Sequence, residues 1–445
     1  MTGLATQRSA RAIRERIGHP LVDGDAHLVE VREAFVRFVH GRGDGALFDD
    51  PTARALMVPG SELQQIPPLD VRRRFHTRTN ARWFTTADTQ DYAAITMPAL
   101  MHERLPDTGF DFSVVFPTYG LHLAHIAGDD SRRGLCRRYN EMVAEDYAPH
   151  RDRLSPVAVL PLHTPEEGIA ALEHAHALGL GAFLIPSFVW RTIPAFADAP
   201  AEYRARLRRM DAFGLDSEHD YDPFWKRAVE LDAPLTAHMS GAGLIDRISP
   251  TNYVYSAGQF AATGEALAKS LFLGGVLHRF PGLRVGLMEG GVAIGVRLLG
   301  DLVGRWEKRG PEGLLNLDLR NLDTSELAHL AQTYQPRFAD LPEERLVPFL
   351  GVEDGPTNDF ALSGVDGPAD IRDQFCNSFF WGCEGDDPLV SVSFDPRVTP
   401  LGATVPAFVG SDIGHWDVPN FEHPLQEAYE QIEHGLLTAE QFREF

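Results

Sequence analysis

The sequence predicts an α/β protein built as a (β/α)8 barrel, the TIM-barrel architecture, with large insertions in its loops. Three observations carry this expectation. Short apolar runs recur along the chain, and each ends in polar residues. Helical patterns lie between them, as parallel strands joined by crossover helices require. Eight such runs can be found, the number that closes a barrel of this kind.

The first run, Leu21 to Gly24, ends in Asp25-Ala26-His27. Phe112 to Phe116 ends in Pro117-Thr118-Tyr119-Gly120, and Leu154 to Leu160 in Pro161-Leu162-His163. Ala182 to Ile185 stops at Pro186-Ser187, and Pro234 to Ala237 at His238. Leu283 to Met288 leads into Glu289-Gly290-Gly291, and Ala407 to Gly410 into Ser411-Asp412. Phe375 to Trp381, before Gly382-Cys383-Glu384, supplies the remaining strand. Among the helices, Ser131 to Ala148 is long and amphipathic, and Pro165 to Leu178 opens on Thr164-Pro165 and stops at Gly179. Asp222 reads as the N-cap of a helix to Leu231, with Pro223 at its first position. Thr263 to Phe280 and Val292 to Lys308 follow the fifth and sixth strands.

A bare barrel takes roughly 250 residues, whereas this chain has 445. The surplus falls in insertions at about 29–109, 187–215 and 310–371. No Ser/Gly-rich linker, internal repeat or low-complexity tract separates them, so residues 21–445 read as one domain with lids and oligomer arms. Residues 1–20, Arg-rich and without an apolar core of a secretory signal, read as an arm or short helix leading into the first strand.

Lys and Arg number 41 against 63 Asp and Glu, a formal charge of −22. Nucleic acid and anionic membrane surfaces need a basic footprint, so neither is expected as a partner. No apolar stretch approaches the roughly 18–20 residues that cross a bilayer. Three cysteines, Cys136, Cys376 and Cys383, make no disulfide framework and no CxxC pair, which points to a reducing, cytoplasmic setting.

The chemistry concentrates where the strands end. In Asp25-x-His27 the period of two puts both side chains on one face of the first strand. A carboxylate and a neutral imidazole are suitable ligands for zinc, manganese or iron. His238 directly follows the fifth run, and Asp412 the eighth. A carboxylate at such a place needs a cation or several donors to offset its burial. Together these four residues suggest a metal site. Glu289, after a mostly apolar strand, is expected to face the barrel mouth near the metal as a water-orienting or substrate-binding group. His415, just past Asp412, is a partner that can orient a ligand. Glu30, His122 and Glu384 are further candidates to face a substrate. The Arg-rich stretch of the first insertion, Arg72, Arg73, Arg74, His76 and Arg78, reads as a solvated basic loop or a carboxylate-binding one.

These pieces resemble the amidohydrolase superfamily, in the branch of the aminocarboxymuconate-semialdehyde decarboxylase-like enzymes. The matching segments are Val22-Asp23-Gly24-Asp25-Ala26-His27-Leu28-Val29-Glu30, His238-Met239-Ser240-Gly241, the run Gly275 to Leu283, Met288-Glu289-Gly290-Gly291 and Gly410-Ser411-Asp412-Ile413-Gly414-His415. The resemblance implies a (β/α)8 fold and a divalent metal held by Asp25, His27, His238 and Asp412, with Asp412 also acting as base or proton shuttle. Many relatives carry HxH where this chain has Asp25-x-His27. Decarboxylase-like relatives often carry a histidine where Glu289 stands, and closer relatives tend to have histidines in the stretch equivalent to Tyr255 to Phe260, where this chain has Ser256 and Gln259.

Two function classes follow. The first is an enzyme whose metal, zinc in the first instance with iron or manganese as alternatives, activates water for hydrolysis or supports decarboxylation of a small organic acid or amide. Oxygen chemistry at iron is a variant of it. The second is a catalytically weak metal-binding subunit that supports an active homologue. A homo-oligomer, or a hetero-oligomer with a homologous subunit, is expected in either case.

Overall fold

The computed structural model describes residues 9–58, 68–75, 85–204, 207–238, 259–338, 340–346, 358–416, 418 and 420–445. Eight parallel strands form a nearly closed barrel with helices around it, as the alternating pattern predicts. They are β1 (Val22–Leu28), β2 (Phe112–Pro117), β3 (Leu154–Val159), β4 (Ala182–Ile185), β7 (Leu235–Ala237), β8 (Val285–Leu287), β9 (Phe379–Glu384) and β10 (Ala407–Gly410), hydrogen-bonded in that order. A two-stranded antiparallel hairpin, β5 (Val189–Thr192) and β6 (Arg208–Asp211), follows β4. The strands are buried in the core through residues such as Phe116, Val157, Phe183, Leu235, Val285 and Trp381, all essentially inaccessible to solvent, with Trp381 packed outward against the helices Val292–Arg309 and Pro368–Ser378.

The first and last strands meet through the turn after β10. The Asp412 amide donates to the Asp25 carbonyl at 2.8 Å, and the His27 amide to the Ile413 carbonyl at 2.8 Å. Close approach here requires glycine. A Cβ on Gly410 would lie 2.7 Å from that of Asp25. On Gly414, whose φ is +116°, it would lie 3.0 Å from that of His27.

Several boundaries differ from the sequence reading, each for a local reason. β1 continues through Leu28, so Asp25 and His27 sit within the strand and not beyond it. Phe375 belongs to a helix, Pro368–Ser378, and the strand begins at Phe379. An apolar run with aromatic residues carries no period that separates the two states. Tyr221 is the N-cap of Asp222–Glu230, while the Asp222 carboxylate is engaged by Arg279 at 2.7 and 2.8 Å. The pattern from Thr263 to Phe280 is two helices, Gln259–Leu273 and Val276–Arg279, broken at Gly275 with φ +74°.

The insertions are largely helical. That after β1 carries Arg32–Gly41, Pro51–Met57, Leu69–Phe75, Thr89–Thr96 and Pro98–Thr108. The 310–371 insertion contains Pro311–Leu314, Thr324–Tyr334 and Glu343–Leu346, and it exposes Leu315 (68%) and Tyr334 (78%). Ahead of β1, the helix Ala10–Arg14 buries Ala10 and Ile13, so the described part of the N-terminal arm is a docked helix. Among the described residues, no helix is long and apolar enough to cross a membrane.

One buried ion pair ties a barrel helix to its neighbour. Arg132, in the helix Asp129–Tyr147, reaches Glu167 at 2.9 Å, and both are buried. Removing one partner leaves an uncompensated charge, which costs about 3–5 kcal/mol, whereas replacing both by apolar groups costs far less. Because Arg132 also keeps Asp129 at 2.7 Å and the Ile126 carbonyl at 3.0 Å, Glu167→Ala should lose about 3 kcal/mol, the low end of that range, in urea unfolding. The double change Arg132→Met/Glu167→Leu should recover most of it; equal losses in the two would show that packing, not charge, governs the site.

Candidate metal centre

Six polar side chains converge at the ends of β1, β7, β8 and β10, all on the C-terminal mouth of the barrel. Asp25 and His27 point inward from β1 because they alternate with Ala26. His238 follows β7 directly. Glu289 and Asp412 each come two residues after their strands, β8 and β10, and both have positive φ, +52° and +51°. A non-glycine residue seldom takes this left-handed conformation, and it persists only where surrounding contacts hold it. Here it turns each carboxylate back over the barrel end.

The distances are those of groups that share one small volume. His27 Nε2 lies 3.1 Å from His238 Nε2, 3.4 Å from Asp25 Oδ1 and 3.4 Å from Asp412 Oδ1. Glu289 Oε1 stands 3.2 Å from His238 Nε2, 3.9 Å from His27 Nε2 and 3.7 Å from His415 Nδ1. His415 Nδ1 is 2.5 Å from Asp412 Oδ1. Two sets of four atoms lie within 4.8 Å of one another: Asp25, His27, His238 and Glu289, then His27, Glu289, Asp412 and His415. The geometry brings Asp25, His27 and His238 into one set and Asp412 with His27 into the other, and Glu289 stands in both. Asp412 falls in the second set, across His27 from Asp25 and His238.

The surrounding hydrogen bonds aim these groups. His27 Nδ1 donates to the Pro117 carbonyl at 3.2 Å, which leaves Nε2 with its lone pair toward the cluster. Asp23, one alternation before Asp25 on the same face, is fully buried and accepts from four donors. They are the Ser411 amide at 2.9 Å, Ser411 Oγ at 2.7 Å, Ser113 Oγ at 3.1 Å and the Asp25 amide at 3.1 Å. It joins β1 to β2 and to the residue before Asp412. The period of two that singles out Asp25 and His27 extends back to Asp23, so the sequence carried a signal for it.

Burial and mutual charge set the protonation of the cluster. Burial pushes the Asp25 carboxyl well above its ordinary range, with His238 opposing. Burial also works against ionised Glu289, but His238 and His415 outweigh it and hold that carboxyl well below. His27 is held well below the usual imidazole value by burial and by its neighbours His415 and His238. His238 is raised, because Glu289 and Asp25 overcome its burial. Asp25 Oδ1 is buried without a hydrogen-bond donor. A desolvated carboxyl oxygen beside the neutral imidazole of His27 is an environment a divalent cation completes. The donor set therefore fits a metal.

The remaining candidates separate. Glu30 has both oxygens committed to backbone amides, Thr118 and Tyr119 at 3.2 and 2.8 Å and Gly120 at 2.9 Å. It holds the turn after β2 and is withdrawn from any substrate. His122 lies in the short 3-10 segment Gly120–His125 and belongs to neither set of converging ligands. Glu384 ends β9 on the exposed side and, with Asp25, Glu289 and Asp412, lines a small cavity at the centre. Cys383, which the sequence did not single out, lines the same cavity with a buried thiol that accepts from the Val292 amide at 3.1 Å. Arg72, Arg73 and Arg74 lie on the helix Leu69–Phe75. His76, Arg78 and Ser256 lie outside the described residues, and Gln259 begins the helix Gln259–Leu273.

Behind the mouth, His125 and His163 are held neutral. Burial lowers His125 to about 4, with His122, Arg208 and Arg132 adding to it. Burial lowers His163 to about 3, with Arg132, His125 and Arg191 adding and Asp129 opposing. In the unfolded chain both protonate near 6.5. Stability is thus fully present above about pH 6.5 and falls as the pH drops toward 4, by up to about 1.4 kcal/mol per pH unit for each histidine. Thermal melts between pH 7 and 4 should show this slope, and His125→Gln/His163→Gln should flatten it. An unchanged slope in the double variant would place the acid sensitivity elsewhere.

A family model described as amidohydrolase matches residues 22–312. Among solved structures, an amidohydrolase from Mycobacterium avium subsp. paratuberculosis K-10 is 15% identical with a TM-score of 0.53, over 96% of this chain and 97% of that one. A 2,6-dihydroxybenzoate decarboxylase from Rhizobium is 15% identical with a TM-score of 0.49, over 96% and 95%. A dihydroxybenzoic acid decarboxylase from a Polaromonas species, solved with manganese and an inhibitor, is 14% identical with a TM-score of 0.49, over 96% and 94%. No curated protein matches the sequence. At such identities the structural likeness speaks for the fold alone. The family match covers well over half the chain and includes Asp25, His27, His238 and Glu289: the chain belongs to the amidohydrolase family.

Proposed function

We propose that the protein is a divalent-metal-dependent enzyme of hydrolase or lyase type, acting on a small organic acid or amide at the barrel mouth. The observation that carries this reading is the convergence of ligand atoms from Asp25, His27, His238 and Glu289 within 4.8 Å, with Asp412 3.4 Å from His27 Nε2. These residues would hold the ion, zinc in the first instance. When bound, such an ion acts as a Lewis acid and lowers the pKa of water from 15.7 to roughly 7.

The chain's own groups supply the rest. Asp412, 2.5 Å from His415 Nδ1, is placed to take and return a proton, and His415 orients it. Glu384, at the open side of the cavity, is placed to meet a substrate group. The packed barrel below excludes water from the far side. His27, His238 and Asp25 also make the two-imidazole, one-carboxylate set that suits ferrous iron and oxygen chemistry, which is the second reading. The exposed apolar residues of the 310–371 insertion support assembly with a second copy or a homologous subunit.

Elemental analysis of protein purified without added metal should find at least one equivalent of a divalent ion. His238→Ala or Asp412→Ala should each remove at least one equivalent and lower turnover about 100-fold or more. The substrates to assay are amides, esters and carboxylated aromatics, with oxygen uptake followed in parallel. Wild-type metal content in both variants would overturn the ligand assignment, and oxygen consumption coupled to product would favour the second reading.

A further inference from the structure

We propose that the 310–371 insertion is the interface of a homodimer, in which the helix Thr324–Tyr334 pairs antiparallel with the same helix of a second copy. The inference commits the assembly expected of this insertion to one occupant, and it stands whether or not the barrel mouth holds a metal.

The apolar surface of the chain is concentrated here. Of the 23 large apolar side chains that stand exposed among the described residues, nine fall between Leu315 and Leu362. This segment lies beyond residues 22–312, which the family model matches. At about 200 Å² for a large apolar side chain, fractional exposures of 40–78% over these nine leave roughly 900 Å² in water. The largest patch on an ordinary monomer is about 300–600 Å², whereas a stable interface takes about 800 Å² from each partner. The surface left open is the size of one side of a dimer.

The helix at its centre has an apolar stripe that its own chain does not cover. Leu327, Leu330, Ala331 and Tyr334 recur at the spacing that puts them on one face. Such a stripe ordinarily packs on the body of the protein. This helix instead packs chiefly on Pro336–Phe338 and Glu343–Leu346, which belong to the same insertion. Of the four stripe residues only Ala331 is buried, while Leu330 stays 42% and Tyr334 78% exposed. Phe338 and Leu341 continue the exposed surface past the end of the helix.

Charge selects the occupant. The first turn is acidic, with Asp323 as N-cap and Glu326 beyond it, and Arg337 follows the last turn. Glu326 and Arg337 are both exposed, and among the described residues neither makes an ion pair. A two-fold axis at Leu330 turns the helix end for end, so that Leu330 meets Leu330. Arg337 of each copy then falls beside Asp323 and Glu326 of the other, and the two helix dipoles run in opposite directions. A parallel pairing would set acid against acid and Arg337 against Arg337. The stripe is thus complementary to itself only in the antiparallel sense, which is the sense a two-fold dimer uses. Each copy carries a formal charge of −22, so copies repel in general and the local match decides where they meet.

Light scattering after gel filtration, with sedimentation over a range of concentrations, tests this on the full chain. The wild type should have about twice the single-chain mass of 49.3 kDa. Leu330→Glu/Tyr334→Glu brings carboxylates of both copies to the two-fold and should give the single-chain mass. Its far-UV circular dichroism should be unchanged, because both positions are exposed. Arg337→Glu should raise the dimer dissociation constant about tenfold or more, and adding Glu326→Arg should reverse most of that rise. If the double glutamate variant misfolds, Arg337→Glu and its reversal carry the test alone. A wild type that keeps the single-chain mass at every concentration overturns the interface. So does a dimer whose dissociation constant none of these changes moves, since its contact lies elsewhere. Association only with a homologous subunit overturns the second copy as the occupant. Metal content, measured on the same samples, reads the catalytic proposal separately.

Discussion

The seam between β1 and the turn after β10 carries both the closure of the barrel and half of the candidate centre. Two backbone hydrogen bonds, Asp412 to Asp25 and His27 to Ile413, join the ends of the sheet at the level where Asp25, His27 and Asp412 present their side chains. Asp23 secures this seam from below by gathering Ser113, Ser411 and the Asp25 amide around one buried carboxylate. Burial raises its pKa, and the same donors oppose the rise. The close spacing leaves no room for side chains on Gly410 or Gly414, so the glycines are a consequence of the ligands' position. A shift of one strand against the other would therefore disturb fold and site together.

The charges at the mouth are balanced locally and at close range. Glu289 and His238 stabilise each other's ionised forms at 3.2 Å, while Asp25 is driven toward its neutral form. A divalent cation would reverse the second effect, since a positive charge favours the carboxylate that burial disfavours. The arrangement is thus a set of mutually dependent protonation states, and altering one member moves the others. Glu30 shows the contrasting solution. Its carboxylate is equally buried, but three backbone amides satisfy it, and it serves the turn after β2.

The insertions surround this mouth with elements of different character. Burial keeps His125 and His163 neutral, and the hairpin after β4 adds to it through Arg208 for His125 and Arg191 for His163. Arg191 is itself tied to Asp211 at 2.9 Å and to the Tyr221 hydroxyl at 2.8 Å, and Tyr221 donates to the His163 carbonyl at 3.1 Å. The loops after β3 and β4 are thereby locked to one another. Among its described residues, the 310–371 insertion, by contrast, keeps Leu315, Leu317 and Tyr334 exposed while burying Phe360 and Val365.

The barrel and most of its centre were legible in the sequence because both follow from short-range periodicity. Strands announce themselves as brief apolar runs, and polar residues at their ends have no other place than the mouth. Asp25, His27, His238, Glu289 and Asp412 were all reached in this way. The strand at Phe379 was misplaced by four residues because an apolar aromatic run has no period that distinguishes strand from helix end. Glu30 looked like a site residue until the turn after β2 came back to cap it, a contact across 88–90 positions that no local pattern encodes. The division of the ligands into two sets was likewise invisible in the chain. Sequence determined which residues stand at the strand ends, through alternation along each strand. Only the tertiary structure decided which of them meet, because strand register, the barrel seam and two left-handed residues set distances that alternation does not contain.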